Sequence, residues 1–161
     1  MVGESERRRR LVEEVTALYE WIDSQQKLNP SRAGRCKGCG ACCDFEAYDH
    51  RLFVTPPELI HLAENLNADR LRPMPGGRCP YQQGRECTIH EHRFAGCRIF
   101  CCNGDADFQS ELSEAALKRL KALCEQFEIP YRYQDLARAL NALATDTCRS
   151  AEAPCPGDRE D

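Results

Sequence analysis

Twelve cysteines lie in this chain of 161 residues, and most of them fall in two short stretches. The first stretch reads C-x2-C-x2-C-C over residues 36–43, and the second is a looser series over residues 79–102. Several thiolates at such spacing are what a zinc site or an iron–sulfur cluster needs. The sequence therefore predicts metal binding, and the candidate ligands are Cys36, Cys39, Cys42, Cys43, Cys79, Cys87, Cys97, Cys101 and Cys102.

The first stretch has the features of a metal-binding turn. Three cysteines follow one another at x2 spacing, so that their sulfurs can converge, and Gly38 and Gly40 permit the backbone angles of such a turn. This run resembles the cysteine run of bacterial ferredoxins. Zinc sites favour paired C-x2-C units, whereas the second stretch offers single cysteines from scattered positions. The pattern therefore favours an iron–sulfur cluster over zinc.

The number of centres stays open. One tetrahedral zinc or one cubane cluster takes four thiolates, and the chain offers more than that. Adjacent Cys42 and Cys43 would also point in different directions if the backbone there is extended. Two centres, or one centre with additional thiols, are both compatible with the pattern.

The remaining histidines and cysteines are expected to lie outside the metal site. His90 and His92 follow Cys87 closely and could ligate a metal, but we expect them to lie at the surface or just outside the ligands. We expect a buried thiol at Cys124, which lies on the apolar face of a predicted helix. The others are expected to be structural or peripheral: His50, His61, Cys148 and Cys155.

Helices must position these cysteines. Residues 4–27 carry apolar side chains at helical spacing and predict an amphipathic helix. The tetrapeptide T-P-P-E at 55–58 is a capping box that predicts a helix to about residue 65. Residues 110–127 and 134–144 predict two more helices. The expected fold is mainly α: a small helical domain around an irregular, metal-held, cysteine-rich loop core.

The chain divides into four predicted parts. They are an N-terminal amphipathic helix (1–31), a cysteine-cluster metal-binding region (32–104), a C-terminal helical pair (105–147) and a flexible tail (148–161). The cysteine-cluster region is the most basic part of a chain whose net charge is −4. Its cations either offset the charge of metal thiolates or are ordinary solvated residues. Those nearest the cysteines are Arg35, Lys37, Arg78, Arg85, Arg93 and Arg98.

Composition and motifs exclude several function classes. No apolar run approaches the length of a membrane span, and the first ten residues are too polar for a secretory signal, so we expect a cytoplasmic protein with reduced thiols. The acidic net charge makes nucleic-acid binding an unsupported role. No catalytic motif beyond the cysteines is present: a radical-type C-x3-C-x2-C would need a cysteine where Gly104 lies.

The second stretch contains three recognisable phrases: G-R-C-P-Y at 77–81, E-C-T-I-H at 86–90 and G-C-R-I-F-C-C at 96–102. Together with the first stretch they resemble the YkgJ-like cysteine-cluster proteins, described as zinc- or iron-chelating. The chain departs from that pattern at 101, where a proline is usual, which makes Cys101 and Cys102 additional candidates. The resemblance covers about residues 35–102 and implies chelation by Cys36, Cys39, Cys42, Cys43, Cys79, Cys87 and Cys97.

These observations predict a metal-binding protein with an iron–sulfur cluster, in one or two centres, that acts in redox, sensing or partner binding. Its expected partners are the metal and a protein redox or regulatory partner. The first alternative is a structural zinc-binding interaction protein. The second, suggested by resemblance, is an enzyme related to flagellin lysine methylases, whose large additional body this chain lacks.

Overall fold

A computed structural model describes residues 3–35, 41–45 and 51–150, and for 41, 68 and 147–150 it describes the backbone only. Several predicted features fall outside these ranges. They are Cys36, Cys39, Lys37, His50, Cys155, the side chain of Cys148 and the chain beyond residue 150.

The described chain is mainly helical, as predicted, with 63% of residues in helices. Two short antiparallel pairs of strands are present: β1 with β4, and β2 with β3, which form a hairpin. The helices are α1 (Glu4–Leu28), α2 (Pro30–Ala33), α3 (Pro56–Asn65), α4 (Ala95–Ile99), α5 (Ala106–Gln126) and α6 (Leu136–Ser150). The strands are β1 (Phe53–Val54), β2 (Gln82–Gln83), β3 (Glu86–Cys87) and β4 (Gln134–Asp135), and single 3₁₀ turns occupy Ala41–Cys43, Ala68–Arg70 and His90–His92.

Helix boundaries follow from local capping. The predicted capping box starts α3, with the Thr55 N–H donating to Glu58 Oε2 at 2.9 Å. Helix α5 begins four residues earlier than predicted, because the Asp105 carboxylate accepts the Phe108 N–H at 2.7 Å and caps the helix there. Helix α6 begins two residues later than predicted, because the residues before Leu136 pair with β1.

Helix α6 also ends later than predicted. Its backbone is helical to Ser150, six residues beyond the predicted end and into the stretch that we predicted as tail. None of the described helices is both long enough and apolar enough to cross a lipid bilayer.

Two hydrophobic cores hold the fold. The first core lies mainly between α1 and α5, and its most deeply buried members include Val15, Ile22, Ala116 and Leu120. The second core joins α3 and α6 to the β2–β3 hairpin and to α4, through residues such as Leu62, Tyr81, Phe94 and Leu140. Cysteines pack in or against this second core: Cys43, Cys79, Cys87 and Cys97.

Candidate metal centre

A cavity of about 590 Å³ lies between the 3₁₀ turn at 41–43, the β2–β3 hairpin, α4 and α5. Five of the predicted ligands line it, although they come from four separate positions in the chain. The structure therefore brings part of both cysteine stretches to one place. These residues, called the cavity cysteines below, are Cys42, Cys43, Cys79, Cys87 and Cys97.

Backbone hydrogen bonds hold the two stretches side by side. The Cys79 N–H donates to the Cys43 carbonyl at 2.9 Å, and the Phe45 N–H donates to the Gly77 carbonyl at 2.8 Å. Asp44 and Arg78 form an isolated β-bridge and an ion pair with an N–O distance of 3.0 Å. The first stretch therefore meets the second as a strand-like pair, which the sequence spacing alone does not show.

The hairpin places Cys87 opposite Gln82 and close to Cys79. Gly84 lies in the tight turn with φ +61°, a left-handed conformation that favours glycine. The N–H and the hydroxyl of Thr88 both donate to the Tyr81 carbonyl, at 2.8 and 2.7 Å, and anchor the end of the hairpin. Cys97 lies on a separate element, α4, and also lines the cavity.

Burial raises the pKa of three cavity cysteines. It raises the pKa of Cys43 to about 12, and nearby Cys42, Cys79 and Cys87 add to the effect. Burial also raises the pKa of Cys79, and it raises the pKa of Cys97 well above its usual range, with contributions from Cys79, Cys43 and Cys87. Without a cation nearby, these three groups therefore favour the neutral thiol. A bound cation reverses this preference, because metal ligation requires thiolates and displaces their protons.

Cationic side chains surround this group of thiols. Arg51, Arg85 and Arg93 line the cavity together with His90. Arg98 behaves differently from the solvated or charge-offsetting residue that we expected, because it is only 9% exposed and donates to the Glu91 and Arg93 carbonyls and to Asp23.

Cys101 and Cys102 do not line the cavity. The Gln109 side-chain amide accepts the Cys101 N–H and donates to the Cys101 carbonyl. The Cys101 thiol donates to Asn103 Oδ1 at 3.0 Å. The same Asn103 side chain bonds the N–H and the carbonyl of Arg35, each at 3.0 Å. Cys101 therefore lies next to the residue that precedes the first cysteine stretch.

Two glycines allow this close approach. A Cβ atom on Gly34, where φ is +79°, would lie 2.9 Å from the Gly104 Cα, and a Cβ on Gly104 would lie 2.7 Å from the Ala33 carbonyl oxygen. Gly104, the position at which a radical-type motif would need a cysteine, thus has a packing role.

Most of the other expected residues occupy structural positions, but His90 lines the cavity, where we had expected no histidine. Cys124 is 1% exposed, which confirms the predicted buried thiol. His61 is buried between α1 and α3, where its Nε2 lies 3.0 Å from the Thr16 hydroxyl. His90 is exposed at the cavity, and the His92 ring lies 5.8 Å from the His61 ring. Within the described ranges no three Cys, His, Asp or Glu side chains are close enough to hold an ion, and Cys36 and Cys39 lie outside those ranges.

Sequence reasoning missed one side chain at the cavity. Glu58 was identified only as the capping glutamate of α3, yet it lines the cavity and accepts the Ala95 N–H at 2.8 Å. The Thr-x-x-Glu spacing indicates the cap but contains no signal for a contact with a residue far along the chain.

The fold and the cavity define a class: a helical protein in which short segments bring thiols from two cysteine stretches to one cavity. Residues 35–129 match the model of the CxxCxxCC family, whose description is "Putative zinc- or iron-chelating domain". The match covers more than half of the chain, so the chain belongs to this family, and metal binding is supported. No curated protein and no solved structure matches the chain.

Proposed function

We propose that the protein holds an iron–sulfur cluster on thiolates from both cysteine stretches. The observation that carries this proposal is that five thiols line the cavity. Among the described lining residues, they outnumber the histidine and carboxyl side chains that could also bind a metal. Thiolates are the ligands that iron–sulfur clusters take, and four of them complete a cubane or a two-iron cluster. The ligands would come from the cavity cysteines together with Cys36 and Cys39.

The size of the cavity supports a polyatomic group. A single water molecule needs only about 10–15 Å³ of such space, whereas the cavity offers about 590 Å³. The arginines at the cavity also suit a cluster, because a cluster with four thiolates carries net negative charge that nearby cations stabilise.

The chemistry supplied by such a cluster is electron transfer or sensing, at a potential set by burial, hydrogen bonds and nearby charge. The chain's own residues would bind the cluster, limit its contact with water and place it near the exposed aromatic residues Phe53, Phe100 and Tyr133. A redox or regulatory protein partner would then dock at this opening. We further propose a cytoplasmic location, where these thiols stay reduced until they bind metal.

Zinc is the alternative occupant, and one observation favours it. Cys43, Cys79, Cys87 and Cys97 all pack in or against the second hydrophobic core, which is where a purely structural ion would stabilise the fold. An enzyme that modifies a protein side chain is a weaker alternative, supported only by the family resemblance.

Metal analysis of the purified protein separates these functions. Protein prepared without oxygen would be assayed for iron, zinc and acid-labile sulfide per chain, and its absorption spectrum recorded before and after reduction. A cluster predicts a brown protein with iron and sulfide in matching amounts and a spectrum that bleaches on reduction. Stoichiometric zinc without sulfide would overturn the cluster and leave the structural site.

A further inference from the structure

A fully enclosed carboxylate lies behind the cavity cysteines. Glu58 is 3% exposed, and both of its oxygens are engaged. Its Oε2 accepts the N–H and the hydroxyl of Thr55, each at 2.9 Å, and its Oε1 accepts the Ala95 N–H at 2.8 Å. A buried carboxylate is costly unless it is hydrogen-bonded, and three donors here satisfy it.

Only part of this arrangement is explained by helix capping. A capping box needs the glutamate to return to its own N-cap residue, which Glu58 does through Thr55. The second oxygen instead binds Ala95, the first residue of α4. One side chain therefore caps two helices that lie 37 residues apart.

Helix α4 needs such an external contact. It has only five residues, and so short a helix has almost no stability of its own. The Ala95 N–H is one of the amides at a helix start that find no partner inside the helix. Cys97 follows two residues later and lines the cavity, so the Glu58 contact determines where this thiol lies.

The other side of Cys97 is held as well. Arg98 reaches back to the Arg93 carbonyl at 2.9 Å, binds Asp23 on α1 at 3.1 Å and places its guanidinium 4.3 Å from the centre of the Tyr19 ring. Cys97 thus lies between two anchored neighbours, Ala95 and Arg98.

We propose that Glu58 is a positioning residue of the metal site, acting on Cys97 through the Ala95 N–H. This inference rests on the metal centre proposed above. Partners that orient metal ligands usually contribute 10- to 100-fold to metal affinity, and we expect about that range here. We assign Glu58 no ligand role, because both of its oxygens already accept hydrogen bonds from Thr55 and Ala95.

The test is a double-mutant cycle on the full chain, with Co²⁺ titrated into metal-free protein and followed by its thiolate absorption. Glu58→Gln replaces one carboxylate oxygen by an NH₂ group, so it cannot accept from both Thr55 and Ala95. Ala95→Pro removes the donor without changing Glu58, and it adds two ring carbons at a buried position. Proline is tolerated at the first helical position, and Phe94 before it already has the extended angles φ −62° and ψ 157° that proline requires.

Two controls separate positioning from general destabilisation. Val15→Ala creates a gap in the first core at a residue that does not line the cavity, and it should lower the melting temperature while leaving the hydrogen bond between Glu58 and Ala95 in place. Glu64→Gln changes an exposed glutamate on the same helix. Glu58→Asp keeps the carboxyl group and shortens the reach, and it serves as the test variant if Glu58→Gln does not fold.

We expect Glu58→Gln and Ala95→Pro each to weaken Co²⁺ binding about 10- to 100-fold, the double variant to be no weaker than either, and the controls to bind as the parent does. Strictly additive effects, or equal weakening by Val15→Ala at a matched loss of melting temperature, would overturn the positioning role while leaving the metal centre standing. A parent protein that binds neither Co²⁺ nor iron would overturn the metal centre itself.

Discussion

The two hydrophobic cores of this molecule are built in different ways. The first core is formed mainly by two long helices, α1 and α5, whose apolar residues recur at helical spacing. The second core takes its residues from α3, α6, the β2–β3 hairpin and irregular segments, and four cysteines, among them Cys97 on α4, pack in or against it. Regular secondary structure thus supports the first core, whereas the second core is assembled from short pieces.

This difference indicates where a metal contributes most. Long amphipathic helices gain stability by burying an apolar stripe against each other. Two-residue strands and a five-residue helix have little stability of their own, so a bound metal that links them supplies energy that their packing lacks. We therefore expect the second core to depend on metal and the first core to be largely independent of it.

Metal removal should have the largest effect. Binding of a structural metal ion is worth on the order of 10 kcal/mol in small metal-dependent folds, so a chelator should abolish amide-exchange protection around Tyr81 and Ile89. Protection in α1 and α5, for example at Leu18 and Leu112, which do not line the cavity, should be reduced much less. Equal loss of protection in both cores would show that they do not differ in metal dependence.

Replacing single cysteines should have the next largest effect, and it should distinguish the cavity cysteines from a buried cysteine elsewhere in the fold. Cys97→Ser removes a cavity thiol and should lower metal content and melting temperature together, as should Cys39→Ser. Cys124→Ser is the matched control, because Cys124 is buried on α5 away from the cavity. It should cost about 1–3 kcal/mol for burying a hydroxyl while metal content stays unchanged. Loss of metal in the Cys124 variant would contradict this assignment.

The interface between α1 and α3 should respond to acid. The Thr16 hydroxyl donates to the Val12 carbonyl, so it accepts from His61 Nε2–H, and among described residues His61 Nδ1 has no hydrogen-bond partner. Burial lowers the pKa of His61 to about 4, with smaller effects from the His92 and Arg98 charges. The folded protein therefore binds the His61 proton more weakly than the unfolded chain does.

Stability should accordingly be complete above about pH 6.5, the ordinary histidine value, and fall as the pH drops toward 4. The loss attributable to His61 is about 3 kcal/mol over this interval. Denaturant titrations at several pH values would measure it, with His61→Leu as the variant that cannot titrate. A parent and a variant with the same pH dependence would rule out this contribution.

The smallest effect is expected from Cys155→Ser. Cys155 lies beyond both cysteine stretches, and the substitution should change the free energy of unfolding by less than about 0.5 kcal/mol and leave metal content unchanged. Loss of metal in this variant would mean that Cys155 is a ligand, and that the cysteines packed in or against the second core do not form the whole site.

The sequence alone predicted the parts whose signals are local. The apolar spacing of α1 and the T-P-P-E capping box were sufficient to predict two helices to within a residue or so at each end. The start of α5 was missed, since Asp105 was not recognised as its cap. The C-x2-C-x2-C-C run and the three later phrases also indicated the metal chemistry and the family, because ligand type and spacing are properties of the chain itself.

Only the tertiary structure decided which cysteines share a cavity. The pairing of Cys43 with Cys79 and the separate position of Cys101 depend on backbone hydrogen bonds between segments far apart in sequence. The contact between Glu58 and Ala95 has the same origin. Sequence spacing determines which groups can bind a metal, but long-range packing determines which of them meet, because no local preference encodes a contact across 37 residues.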